Sequence, residues 1–212
     1  MASSSDYLNV LPVSPPPVPR YPESTMNRSK NELRRIGVYC ASAIGTDPAF
    51  KAEAEALGRG IAAAGLGLVY GGSARGLMGA LADAALAKGA EVIGVLPSAL
   101  DVREIGHTGL TRLELVSTMH ERKARINDLS DALIALPGGY GTLDELMEAV
   151  TWAQIGIHRK PCILVNTLGY WDGLLTFLDT AVASGFVTAE NRGLMRVTAN
   201  AAEALELARK LG

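Results

Sequence analysis

Six short apolar runs, at 36–41, 66–70, 92–96, 113–116, 132–136 and 162–166, alternate with helical patterns along this chain, and that alternation restricts its fold more than any other feature. Each run is nearly continuous in apolar residues, which predicts strands buried on both faces. The segments near 49–64, 77–88, 119–129, 143–157, 171–184 and 201–211 carry apolar residues at helical spacing. Alternation of this kind, with nearly continuous apolar strands, calls for parallel strands covered by helices on both sides. The expected fold is therefore α/β: a single doubly wound, Rossmann-like domain with a mostly parallel sheet. A chain of 212 residues holds one such domain with a sizeable core. An apolar content of 48% with only 5% aromatics suits a sheet built and covered by Ala, Gly, Leu and Val. Ligands on these sheets lie at the carboxyl ends of the strands, where the strand order reverses. Motifs at strand ends are thus the ones to weigh.

The first 34 residues stand apart. Six of the ten prolines fall before residue 23, among Ser and Asn, and such a segment buries too little apolar surface to order itself. It predicts a disordered or polyproline-like tail at 1–34 ahead of a domain at 35–212, and Met26 is an alternative start. The formal charge of −2 argues against a general nucleic-acid binder, which presents a basic surface. Cys40 and Cys162 each sit in a strand-like run and show no metal or disulfide spacing, so both read as buried core thiols. No stretch reaches transmembrane length, and Asp6 and Pro12 interrupt any secretory signal. The expected setting is cytoplasmic, without a membrane partner.

The most informative strand end is Leu136-Pro137-Gly138-Gly139-Tyr140-Gly141-Thr142-Leu143-Asp144-Glu145. A strand, a glycine-rich turn and a helix start, in that order, build an anion site: glycines permit close approach, and the helix N-terminus presents unsatisfied N–H groups. Glu145 then places a carboxylate beside the bound group, which points to a phosphate-bearing ligand. Spacing leaves two readings of Glu145 open, because Thr142 and Glu145 also form a capping box. A second turn, Gly71-Gly72-Ser73, follows another strand; it has neither dinucleotide-fingerprint spacing nor a Walker lysine, and two such turns predict one for phosphate and one for sugar or base. In the segment 117–125, Thr118 and Glu121 have capping-box spacing, which makes Glu121 structural. Arg122 and Lys123 fall in the opening turns of that helix, where the macrodipole disfavours cations, so a nearby anion is expected. Arg125 reads as part of a solvated basic face. His107, His120 and His158 lack metal spacing.

Met119-His120-Glu121-Arg122-Lys123 together with Pro137 to Glu145 resembles the paired signature of the Lonely Guy family, cytokinin riboside 5′-monophosphate phosphoribohydrolases long mislabelled as lysine decarboxylases. The similarity runs from about Ile36 to the C-terminus and includes Val38 to Ser42 and Gly76-Leu77-Met78-Gly79. The resemblance implies hydrolysis of the N-glycosidic bond of an N6-modified adenosine 5′-monophosphate, with no metal or organic cofactor. It puts the essential pair on Arg122 and Glu145. It puts ligand contacts on Lys123, Gly139, Tyr140, Gly141, Thr142, Leu143, Asp144 and Thr151, on Gly71 and Gly72 of the other turn, and on an acidic residue placed at Glu104. Ser73 stands where many relatives carry a third glycine, and Asp144 where a Glu is common. No lysine sits in a pyridoxal-phosphate context. A nucleotide or molybdenum-cofactor carrier of the same fold is the competing expectation. The resemblance also implies at least a homodimer. The helix from 143 carries Leu146, Met147, Val150, Ala153, Ile155 and Ile157 on more than one face, which calls for cover by a second copy or by the C-terminal helix.

Overall fold

The computed structural model describes residues 33–99 and 105–212. The tail expected at 1–34 lies outside the described residues except for Leu33 and Arg34, and Glu104 lies outside them as well. Within them the strands β1 (Arg35–Tyr39), β2 (Gly67–Tyr70), β3 (Val92–Pro97), β4 (Arg112–Val116), β5 (Ala132–Ala135), β6 (Cys162–Val165) and β7 (Met195–Thr198) form one sheet. The order is β4-β3-β2-β1-β5-β6-β7, and every pairing is parallel. The expected class holds, with a seventh strand added. β7 escapes a reading based on apolar runs because it is an edge strand whose sequence, Met-Arg-Val-Thr, exposes its two middle side chains.

The helices are α1 (Pro48–Ala63), α2 (Gly76–Leu86), α3 (Met119–Leu129), α4 (Tyr140–Gln154), α5 (Asp172–Ala183), α6 (Ala189–Arg192) and α7 (Ala201–Leu211). Strand side chains alternate between faces. Ile36, Val38, Leu68 and Tyr70 meet Leu57 and Ile61 of α1, Leu77 and Leu81 of α2, and Ala204 and Ala208 of α7. Tyr39, Val69, Ile93, Leu133 and Leu164 meet Ile126 of α3 and Leu146 and Ala149 of α4, with α5 alongside. The C-terminal helix therefore covers the face opposite α4 and cannot supply the second-side cover that the sequence reading allowed it. Both cysteines are buried, as expected.

Strands β1 to β4 build outward in one direction. Helix α3 then carries the chain back to β5 beside β1, and growth continues the other way. The reversal falls between β1 and β5, whose following helices, α1 and α4, lie on opposite faces. The loops leaving the two strands diverge, and a crevice opens at their carboxyl ends.

Candidate active site at the carboxyl ends of the strands

Helix α3 begins as the sequence predicts. Thr118 caps it by accepting from the Glu121 N–H at 3.1 Å, and the Glu121 carboxylate reaches back to the Ser117 N–H at 2.7 Å. Four residues beyond the cap, Arg122 projects across the strand ends. Its Nε donates to the Val95 carbonyl at 3.1 Å, Nη2 to the Gly71 carbonyl at 3.3 Å, and Nη1 to Glu145 Oε1 at 2.9 Å. Two backbone carbonyls from two strand ends thus seat the guanidinium independently of Glu145. The seat explains Gly71: a β-carbon there would stand 1.9 Å from Arg122 Nη2. Gly71, expected to contact a ligand, stands against the Arg122 guanidinium in this structure.

Glu145 is not a helix cap. Helix α4 starts at Tyr140 with Gly139 as its N-cap, and the Leu143 N–H already donates to the Gly139 carbonyl at 3.0 Å. Thr142 is therefore inside the first turn rather than before it, buried with its hydroxyl over Gly138, where a β-carbon would come within 2.0 Å. The capping-box reading fails because three residues that look like loop in the sequence are helical. Glu145 instead points to the interior, its side chain 8% exposed against Arg122. Burial pushes its carboxyl up to about 7; Arg122 and, less strongly, Lys123 pull it down, while Asp144 and Glu148 push it up.

Lys123 is buried and bonded to Asp144 at 3.0 Å and Glu148 at 3.1 Å, one helical turn apart on α4. Burial works against its charge, but these hydrogen bonds outweigh it and hold the ammonium above its ordinary value. The anions that compensate Arg122 and Lys123 near the α3 N-terminus are thus carboxylates of α4. Glu148 was missed by sequence reasoning, although its i, i+4 spacing from Asp144 was the available signal. Arg125, read as a solvated basic face, makes a two-pronged pair with Glu114 at 2.6 and 3.2 Å. Thr151 bonds its own helix at the Met147 carbonyl and is exposed. Six residues beyond Glu145, it lies about 9 Å further along α4 and about 120° around it, so one chain does not bring the two together.

The two glycine turns differ in what they leave open. At the start of α2, the N–H groups of Leu77 and Met78 are taken by the carbonyls of Ala43 and Ala41. Gly72 turns the chain at φ +77°, and its carbonyl accepts from the His107 N–H at 3.0 Å. That turn is closed by the protein itself. At the start of α4, no partner for the N–H groups of Tyr140, Gly141 and Thr142 is seen among the described residues. β-carbons added at Gly139 and Gly141 would meet nothing within 4 Å, so the fold leaves space over this turn. Tyr140 is 93% exposed beside it. A cleft of about 310 Å³ borders the turn, between Tyr140 and Leu143 on one side and Tyr170, Trp171 and Leu174 on the other. Among the described residues, no group of three or more His, Cys, Asp or Glu side chains is placed to hold a metal ion. None of their helices is long and apolar enough to cross a membrane.

A family model described as possible lysine decarboxylase matches residues 78–208. A cytokinin riboside 5′-monophosphate phosphoribohydrolase of Arabidopsis thaliana is 45% identical over 186 residues, covering 88% of this chain and 84% of that protein. Its counterpart in Oryza sativa subsp. japonica is 46% identical over 182 residues, covering 86% and 74%. Among solved structures, the Moco carrier protein of Chlamydomonas reinhardtii superposes with a TM-score of 0.66 at 24% identity, over 85% of this chain and 98% of that one. The molybdenum cofactor binding protein of Rippkaea orientalis gives 0.64 at 23%, over 84% and 97%. The last two likenesses concern the fold alone.

Proposed function

The chain belongs to the Lonely Guy family, the one whose model carries the description possible lysine decarboxylase, and from that premise we propose that it hydrolyses the N-glycosidic bond of adenosine 5′-monophosphates, N6-modified ones among them. Water adds to C1′, the bond to the purine nitrogen breaks, the proton goes to the base, and ribose 5-phosphate and free base leave. The observation that carries this reading is the buried Arg122–Glu145 pair one turn inside the open glycine turn. Glycosidic cleavage develops positive charge on the sugar, and a desolvated carboxylate opposes that charge or activates the water. Arg122 keeps its two carbonyl anchors when Glu145 turns to the substrate, so it can steady the departing base. The N–H groups of Tyr140, Gly141 and Thr142 take the 5′-phosphate. Lys123 and Asp144, expected to touch ligand, pair with each other across α3 and α4, beside the Arg122–Glu145 pair.

The lysine decarboxylase description finds no support in Lys123, the buried lysine of the described residues. A Schiff-base lysine works with a lowered pKa, whereas Lys123 is held charged between two carboxylates. The reading extends to a cytoplasmic homodimer. Ile155 and Ile157, just beyond α4, are 63% and 52% exposed, and Phe177 in α5 and Phe186 just beyond it are 64% and 87% exposed; α4 and α5 cover the same face of the sheet. A second copy across that surface also gives the exposed Thr151 a site to reach. The test is release of free base, followed by chromatography, from AMP, from isopentenyladenosine monophosphate and from the corresponding nucleosides. Rapid release from both monophosphates and very slow release from the nucleosides is expected. Tight binding of monophosphate with no base released would indicate a carrier, and equal turnover of nucleosides would return the glycine turn to a packing role.

A further inference from the structure

The glycine turn is held by a residue outside its motif. Tyr170, 32 positions away, donates its phenol O–H to the Gly138 carbonyl at 2.7 Å. Its ring is gripped edge-on by Phe50 of α1, with centroids 5.6 Å apart, and by Trp171, at 4.8 Å. Strain gathers where the chain delivers this ring. Leu168 has φ +55°, the one non-glycine residue with positive φ among those described, and Gly169 follows at +70°. The Leu168 side chain is 67% exposed, so burial does not account for its conformation. Asn166 braces the turn from within, accepting from the Trp171 N–H and donating to Asp172, both at 2.7 Å. A left-handed residue with a β-carbon persists only where its surroundings over-determine it, and such residues gather at ligand clamps.

The consequence falls on the peptide between Gly138 and Gly139. Neither flanking residue has a β-carbon to restrict it, so this unit is among the freest in the chain to swivel. A trans peptide is planar, with its C=O and N–H directed oppositely. Fixing the carbonyl of Gly138 on Tyr170 therefore fixes the Gly139 N–H on the other side. We infer that Tyr170 is a positioning residue for anion binding: its hydroxyl locks the Gly138–Gly139 peptide so that the Gly139 N–H joins those of Tyr140, Gly141 and Thr142 around the phosphate. The inference rests on the reading that this turn holds the 5′-phosphate.

Tyr170→Phe isolates the effect, since it keeps the ring and both edge-on contacts and removes only the hydroxyl. Wild type and variant are titrated calorimetrically with ribose 5-phosphate and, separately, with free adenine, and both are assayed on AMP. The variant is expected to bind ribose 5-phosphate about tenfold more weakly and to show a KM for AMP raised by a similar factor. Adenine affinity stays unchanged, and kcat stays within about twofold. Equal ribose 5-phosphate affinity in the two proteins overturns the inference, as does a matching loss for adenine, which marks a merely structural role. If the wild type itself fails to bind ribose 5-phosphate, the phosphate-turn reading falls and the inference falls with it.

Discussion

Replacing Glu145 with Gln separates the chemistry of this carboxylate from its contribution to stability, and the structure sets both magnitudes. Gln has nearly the same shape, and its amide oxygen still accepts from Arg122 Nη1. Only the charge is lost. Turnover of AMP should fall about 10²-fold or more, the usual effect of removing an electrostatic stabiliser of the transition state. Stability should respond in the opposite sense, and only at some pH values. Burial raises the carboxyl from 4.5 to about 7, so between those values the folded protein binds a proton that the unfolded chain has released. The stabilisation from this proton is fully present below pH 4.5 and is lost as the pH rises through about 7. The difference, 7 minus 4.5, is about 2.5 pH units, or about 3 kcal/mol at about 1.4 kcal/mol per unit. Urea unfolding of both proteins at fixed concentration from pH 4.5 to 8.5 measures it. The Gln variant should gain on the wild type by about 3 kcal/mol across that range. Parallel stability profiles would refute the buried, raised carboxyl, and retained turnover would refute its role in the reaction.

Other outcomes follow from the same geometry. Gly71→Ala drives a methyl into Arg122 and should cost about 1–3 kcal/mol of stability and most of the activity, as read by thermal melts and base release. Gly141→Ala meets nothing and improves helix propensity, so Tm should rise while the KM for monophosphate increases; an unchanged KM would show that the space over the turn is not used. Lys123→Met leaves Asp144 and Glu148 uncompensated beside Glu145, and the acid limb of the kcat/KM profile should move up from about 7 by about one pH unit. Light scattering should give a dimer, and a fully active monomer would defeat the proposed contact across Ile155, Ile157, Phe177 and Phe186.

The sequence by itself determined the architecture and the neighbourhood of the site. Long apolar strands and periodic helices are local patterns, and parallel strands with crossover helices are the arrangement that buries them, so the doubly wound sheet and its strand-end motifs were legible. Arg122 and Glu145 were legible too, through their fixed offsets in two motifs. The relation between them was not. Whether Glu145 capped a helix depended on where α4 begins; it begins at Tyr140 behind the Gly139 cap, with the Leu143 N–H on the Gly139 carbonyl, so Thr142 falls inside the first turn and the spacing of Thr142 and Glu145 alone could not reveal it. The backbone seat of Arg122 at Val95 and Gly71 leaves no side-chain signature, because carbonyls are the same in every residue. The pairing of Lys123 with Glu148 needs α3 to cross back over the sheet to β5, and the reach of Tyr170 to Gly138 needs β5 and β6 to pair in parallel; these contacts join residues 25 and 32 positions apart that only the assembled sheet brings together. Local sequence sets which groups stand at the strand ends; the order of the strands decides which of them meet, because desolvation and hydrogen bonding act across space rather than along the chain.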